Sequence, residues 1–443
     1  MSSVATRLAE RAPVVPSVVR RHVEDAAFYW TQLDVSLDAP QLDANRAAHF
    51  GDLLCAHLEG IRVAGREAVA LSLQALERWR KPGEAFVAFL AALQLEEGDR
   101  QVAIDAVLRQ VKRRPDLLIR GAVSAVAWSD PKHSRYWLAT ISDASDPVDL
   151  VIALRGSALT QGSVGSLDRW LGHAHPAVRA AACRCAGPTQ PAKLESLSGD
   201  EDLGVRAESA IAQARELDKV DVQRRLLIAS RLWQCVSEQL EHCKKSTGWD
   251  RVQADRRLVR WIRHLAVLAP VGHPGMRELV VRLPSRAALT AMLHHGDLGL
   301  LDLVVRFMDD EAQQRWAGWV WQCLTGIDLE ARGLVREEPP IDLDAPLTAS
   351  RKDADLGLPL PDTARISAHS ASLQARAQGQ RVLRGLIVDE ALLHRIIDPE
   401  YGAPQGLRFV AVNALNAARP DHGLNLRARP ALQRLALCSL KSS

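Results

Sequence analysis

A chain of 443 residues is long for one compact core, and 47% hydrophobic residues are enough to fold it throughout, which excludes wholesale disorder. With 56 basic against 53 acidic residues the net charge is +3, which argues against a protein built mainly to grip nucleic acid. Ala, Leu, Val and Arg dominate, favouring helix over strand, and seven scattered Cys do not make a disulfide framework.

The opening stretch "MSSVATRLAERAPVVPSVVRRHVEDAAFYW" has no apolar run long enough for a signal peptide. No later stretch approaches the roughly 18–20 apolar residues that span a bilayer. The expectation is a soluble, cytoplasmic protein without membrane contact. Residues 16–37 set Val19, Val23, Ala27 and Trp30 on one helical stripe. A second helix is predicted over 42–65, and a third over 66–80, stopped by Lys81-Pro82-Gly83. Helices over 84–94 and 98–113 follow. The segment 1–95 reads as an N-terminal helical cap that hides the apolar face of the first repeat behind it.

Residues 96–217 carry that repeat. The stretch "HAHPAVRAAACRCAG" (173–187), moved by 27 residues, meets "DEDLGVRAESAIAQA" (200–214). Val178-Arg179-Ala180 then lies on Val205-Arg206-Ala207, and Pro176 on Leu203. "PDLLIRGAVSAVAW" (115–128) shares the apolar-Arg-small start at Ile119-Arg120-Gly121, and "DPVDLVIALRGSAL" (146–159) keeps only the Asp-Pro. Spacings near 27–31 residues, polar helix starts and Ala-rich helices indicate short HEAT-like repeats. Asp or Pro caps each helix or fills its first turn, and the repeated Arg is expected to be solvated or paired with a carboxylate such as Asp200 or Asp202.

His173, His175, Cys183 and Cys185 also suggest a metal site. Against it, Cys183 and Cys185 fall on Ala210 and Ala212 under the shift, and residues two apart on a helix point to different faces. Structural zinc prefers a wider Cys-x(2–4)-Cys spacing. The stretch therefore reads as one repeat unit.

Residues 218–332 continue as helical hairpins, with a break near Ser246-Thr247-Gly248. His294-His295 reads as a turn entry comparable to His173–His175, and "GWVWQCLTG" with Trp319, Trp321 and Cys323 reads as core. Residues 333–363, rich in Pro and Asp, break the pattern as a loop or mobile insertion. Residues 364–443 return to helical repeats, with helices near 364–379, 387–396 and 406–420 and a closing helix over 428–440.

The chain resembles a family of uncharacterised proteobacterial HEAT-repeat proteins often encoded beside type VI secretion spike genes. The resemblance is carried by "DAAFYWTQLD", "AHLEGIRVAG" (56–65), "RGAVSAVAW", "HPAVRAAACRCAG" and "LTGIDL" (324–329) before a Pro/Asp-rich stretch, and covers nearly the whole chain. It implies an accessory role in loading or chaperoning secreted cargo, with a spike, tip or effector protein as partner. No catalytic residues come with it. The chain departs from the family in lacking Trp around 354–363.

Enzyme readings find little in the residues. An iron hydroxylase of the HEAT type would need His-Glu pairs, and the chain has none. A bilin lyase would need Cys and His placed for a tetrapyrrole, and nothing places them. Phosphate loops and serine elbows are missing. The expectation is an all-α, HEAT-like helical-repeat solenoid that binds another protein and has no enzymatic activity, cofactor, metal or small-molecule substrate. Trp and Arg anchor such surfaces, and Arg256, Arg260 and Arg263 at helical spacing with Trp261 are the candidate partner-binding residues. The alternative is a nucleic-acid-binding or nucleic-acid-modifying HEAT protein that uses the basic helix 251–264.

Overall fold

The computed structural model describes residues 14–141, 145–160, 165–186, 190–215, 221–337, 355–374, 379–419 and 423–442. Among these the chain is all-α, with 22 α-helices and one two-stranded hairpin. None of these helices is long and apolar enough to cross a membrane. The chain divides into two compact units. One is drawn from the described parts of Met1–Leu37, Asn45–Lys193 and Asn425–Ser443, the other from Asp38–Ala44 and Leu194–Leu424.

The first unit opens with α1 (Pro16–Val35), α2 (Ala44–Ala64), α3 (Arg66–Trp79) and α4 (Pro82–Leu93). It continues through α5 (Glu97–Arg113), α6 (Pro115–Trp128), α7 (Pro131–Thr140), α8 (Pro147–Thr160), α9 (Leu167–Leu171) and α10 (Pro176–Cys185). Proline opens α1, α4, α6, α7, α8 and α10, because its fixed φ suits a first helical turn where no N–H is needed. The residue before that proline is often Asp or His, and its side chain accepts the N–H two residues on. Asp130 accepts from Lys132 (2.9 Å), Asp146 from Val148 (2.8 Å) and His175 from Ala177 (3.2 Å).

Helix α4, "PGEAFVAFLAAL", is apolar all round and buried almost throughout, as such a helix must be. It packs against α1, α3, α5 and α6. Trp30 stacks on Phe86 (centroids 5.2 Å), while Trp128 meets Phe86 and Trp137 meets Phe89 edge-on (5.8 and 5.2 Å). The approach of α6 is set by Gly121, where a Cβ would collide with the Pro82 carbonyl and the Phe86 backbone nitrogen. From there α6 packs on α8, and α8 on α10. The final helix, Pro430–Ser442, belongs to this unit. The Pro430 ring lies against Gly51 of α2, the Trp128 indole N–H donates to Arg427 O (2.8 Å), and Arg120 pairs with Asp34 (2.6 Å).

The second unit takes up most of α11 (Pro191–Leu197), then α12 (Leu203–Ala214), α13 (Val222–Lys245) and α14 (Gly248–Leu268). Next come α15 (Pro274–Arg282), α16 (Ser285–His295), α17 (Leu301–Arg306), α18 (Gln314–Thr325) and α19 (Thr363–Gln374). The hairpin β1 (Val382–Leu383) and β2 (Leu386–Ile387) precedes α20 (Glu390–Ile397) and α21 (Gln405–Ala418). Helix α14 is central and packs on α12, α13, α16 and α21.

The hairpin was not expected from the sequence. Its turn, Arg384-Gly385, has positive φ at both residues (55° and 73°), the geometry of a tight two-residue turn. Its N–H groups donate to Cys323 O (2.7 Å) and Leu324 O (2.9 Å), satisfying end carbonyls of α18. Of the Pro/Asp-rich stretch, only the two flanks are described, and they pair with each other through a bridge between Val335 and Pro361. Residues 338–354 of the loop expected over 333–363 lie outside the described residues, as do residues 375–378 of the helix expected over 364–379.

Candidate interaction site

Helix α14 buries Ala254, Leu258, Trp261, Ile262 and Leu265 along one face. The arginines sit on the flanks of that face, and their reach is decided by what lies opposite. Arg260 meets Glu208 of α12 in a two-pronged pair (3.0 and 2.8 Å). Glu208 is only 3% exposed, so the pair is held at the edge of the core. Desolvation works against the Arg260 charge, but Glu208 more than offsets it and the guanidinium pKa is raised. Arg263 pairs with Asp38 and lies over the Phe409 ring of α21 (4.9 Å). Arg256 is exposed and lies over Trp249 (5.6 Å). Trp261 is 2% exposed. The structure therefore brings these four residues onto one helix, with Trp261 inside and Arg260 and Arg263 held by carboxylates.

The far end of α14 collects further cations. Arg225 donates to Leu268 O (3.0 Å) and Val267 O (3.4 Å), and Arg381 donates to Ala266 O, Val267 O and Ala269 O (3.2, 2.5 and 2.8 Å). Cations at a helix C-terminus complement its partial negative charge. His295 Nδ1 makes a 2.9 Å bond with Ala266 O, which requires the Nδ1–H tautomer. Burial first, then Arg381, pushes the His295 pKa down to about 4. His294 is also pushed well below the ordinary range, by burial and Arg263. His294-His295 does lead into a turn, at left-handed Gly296, but the likeness to His173–His175 fails: both lie buried at the C-terminal end of α16, not ahead of a helix. The helix start of that kind is His273-Pro274, where His273 Nδ1 accepts the Gly275 N–H (3.1 Å).

The stretch that suggested a metal has a different use for its histidines. His173 Nδ1 accepts from the His175 N–H (3.0 Å) and His175 Nδ1 from the Ala177 N–H (3.2 Å). Arg179 folds back to donate to His173 O and Ala174 O (2.9 Å each). The segment 27 residues on repeats this arrangement. Asp200 accepts from the Asp202 N–H (2.9 Å), Asp202 from the Val205 N–H (3.0 Å), and Arg206 donates to Asp200 O (3.0 Å) and Glu201 O (3.3 Å). The repeated Arg thus clamps its own helix start, and Arg206 also pairs with the Glu238 carboxylate. Arg120 does not share the role: it stands five residues after the first residue of α6, against three for Arg179 and Arg206, and reaches Asp34. Cys183 is fully buried, and Cys185 Sγ lies 2.9 Å from Leu154 O. Among the described residues no group of three or more His, Cys, Asp or Glu is placed to hold a metal ion.

Of the eleven Trp, Trp79 is the one left exposed, at 45%, while Trp233 and Trp249 are half-buried and the other eight are buried. The sequence signal for Trp79 was its place beside the Lys81-Pro82-Gly83 break, in the last turn of a helix. With this geometry in hand, comparison with family models, with curated proteins and with solved structures finds no match to the chain.

Proposed function

We propose that the protein is a non-enzymatic, protein-binding scaffold built as a HEAT-like α-solenoid with an N-terminal helical cap. The observation that carries this reading is the pair of helix starts at 173–179 and 200–206, which set capping side chains at the same two positions and share the same backward Arg clamp. Reuse of one detailed local structure at a fixed spacing is how a repeat array is built, and such an array offers an extended surface suited to an extended partner. The consecutive packing of α4, α6, α8 and α10 supports the same reading.

The narrower reading rests on the family resemblance alone: a cytoplasmic adaptor or chaperone accessory to type VI secretion, with a spike, tip or effector protein as partner. Its test is affinity capture of the tagged full-length protein from its native host. Recovery of a spike, tip or effector protein is the expected outcome, and recovery of only ribosomal or DNA-associated proteins sinks it. The nucleic-acid alternative draws less support, because Arg260 and Arg263 of the basic helix already have carboxylate partners.

A further inference from the structure

Helices α3 and α5 end side by side. Glu77 accepts from Gln110 Nε2 (2.7 Å), and Gln110 Oε1 accepts from Arg113 Nη1 (3.2 Å), so this relay sets the end of α5 against the last turn of α3. The two ends gather Arg78, Arg80, Lys81 and Arg113, all exposed, and none of the four forms an ion pair among the described residues. Of the acidic side chains beside this group, Glu77 is already engaged by Gln110, and half-buried Glu84 in the first turn of α4 feels the charge of Lys81 without forming an ion pair with it. In the middle stands Trp79, with the Arg78 guanidinium 4.6 Å and the Lys81 ammonium 5.6 Å from its ring centroid.

Cations at a helix C-terminus complement the helix dipole, and that alone accounts for basic residues there. It does not account for an exposed indole in a chain that buries eight of its eleven Trp. Nor does it account for Arg80. This residue adopts a left-handed conformation (φ 51°), where glycine carries no steric penalty and a Cβ does. Arg therefore stands at a position where glycine would relieve strain. The Arg78 contact with Trp79 holds a long side chain in place before anything binds, which lowers the ordering cost of binding.

We propose that Trp79, Arg78, Arg80, Lys81 and Arg113 form a docking surface for an acidic protein segment that sets an apolar side chain against the Trp79 ring. Charge complementarity selects the occupant: carboxylates answer the unpaired cations, and the indole supplies the desolvated centre that such contacts need. The proposal rests on the scaffold reading and specifies where a partner would sit.

The test uses the full-length protein and a fluorescein-labelled peptide of alternating Glu and Leu, read by fluorescence anisotropy. The matching Lys-Leu peptide, a single-stranded oligothymidine and phosphatidylserine vesicles serve as competing probes. The surface predicts binding of the Glu-Leu peptide that weakens with salt and falls by about tenfold or more in Trp79→Ala and in Arg78→Glu with Lys81→Glu. Arg80→Gly should melt at or above the wild-type temperature while binding less tightly, which separates binding from folding. Equal binding by Trp79→Ala, no binding of the Glu-Leu peptide, or preferential binding of the oligonucleotide or vesicles through these residues would overturn the proposal. Capture of the same host partner by wild type and Trp79→Ala would also overturn it and leave the scaffold reading standing. Capture of no spike, tip or effector by either form would count against the secretion reading without bearing on the peptide result.

Discussion

The dipeptide Arg-Trp occurs at 78–79, 169–170, 260–261 and 315–316, and the first and third copies have opposite fates. Trp261 is core, with Leu258, Ile262 and Leu265 buried around it on α14. Trp79 continues the buried stripe Val69, Ser72, Leu76 of α3 at the correct helical step, yet it stands in the last turn, exposed. Helical spacing assigns a residue to a face; whether a neighbour covers that face depends on where the helix ends and on what packs there. The arginines follow the same logic, since Arg260 finds Glu208 while Arg78, among the described residues, lies over the Trp79 ring and forms no ion pair.

The sharpest way to break this contrast is truncation of the buried member. Trp261→Ala should cost about 3–5 kcal/mol, the range for deleting a large aromatic from a packed core. Urea denaturation of the full-length protein checks it. A loss under about 0.5 kcal/mol would place Trp261 in the class of surface substitutions and remove the distinction.

Arg260→Ala tests the charged half of the comparison. Removing it leaves the Glu208 carboxylate buried without its guanidinium, and breaking one side of such a pair costs about 3 kcal/mol or more. Adding Glu208→Gln to Arg260→Ala should recover part of that loss, because the orphaned charge is then gone. Arg256→Ala, on the exposed flank of the same helix, should stay within about 0.5 kcal/mol. Equal losses for Arg256→Ala and Arg260→Ala would mean that burial of Glu208 does not govern this helix.

Much of the helical frame was legible in the sequence, and the reason is local. Proline and a preceding Asp or His fix where α7, α8 and α10 begin, since the cap and the first turn use residues adjacent in the chain. The correspondence read between 173–179 and 200–206 is local too: Val178 and Val205 are both buried, and His173 and Asp200 each accept the N–H two residues on. The site was far less legible. Arg260 is 52 residues from Glu208, and Arg263 is 225 residues from Asp38; no spacing rule connects them. The likeness drawn between His294-His295 and His173–His175 failed for a related reason: both are polar pairs beside a turn, but His295 is buried against a carbonyl of α14.

That buried histidine gives the contrast a pH dependence. The folded state holds His295 down to about 4 against an ordinary value of 6.5, so it binds fewer protons than the unfolded chain between those limits. The stabilisation is complete above about pH 6.5 and is lost as pH falls toward 4, for a total of about 3 kcal/mol. The charged and polar groups around it are Arg381, Asp297 and His273, and Arg381 reinforces burial in opposing protonation. The urea midpoint should therefore fall on acidification in wild type. It should fall less steeply in His295→Asn, whose amide can still donate to Ala266 O. Parallel slopes in the two proteins would exclude His295 as the group responsible.

The exposed copy of the dipeptide should yield the smallest change in stability. Trp79→Ala removes an indole whose cation contacts are solvated, so its cost should stay within about 0.5 kcal/mol. Arg80→Gly goes further, because relief of a left-handed backbone at a non-glycine residue should stabilise the fold by up to about 1 kcal/mol. The gain is reduced by the greater freedom glycine gives the unfolded chain. A destabilised Arg80→Gly would mean that the Arg80 side chain helps hold the end of α3, for example through its bond to Glu77 O. Arg78-Trp79 and Arg260-Trp261 would then differ in burial but not in structural use. A neutral or stabilised Arg80→Gly leaves the side chain available for something outside the fold, the condition a docking surface has to meet.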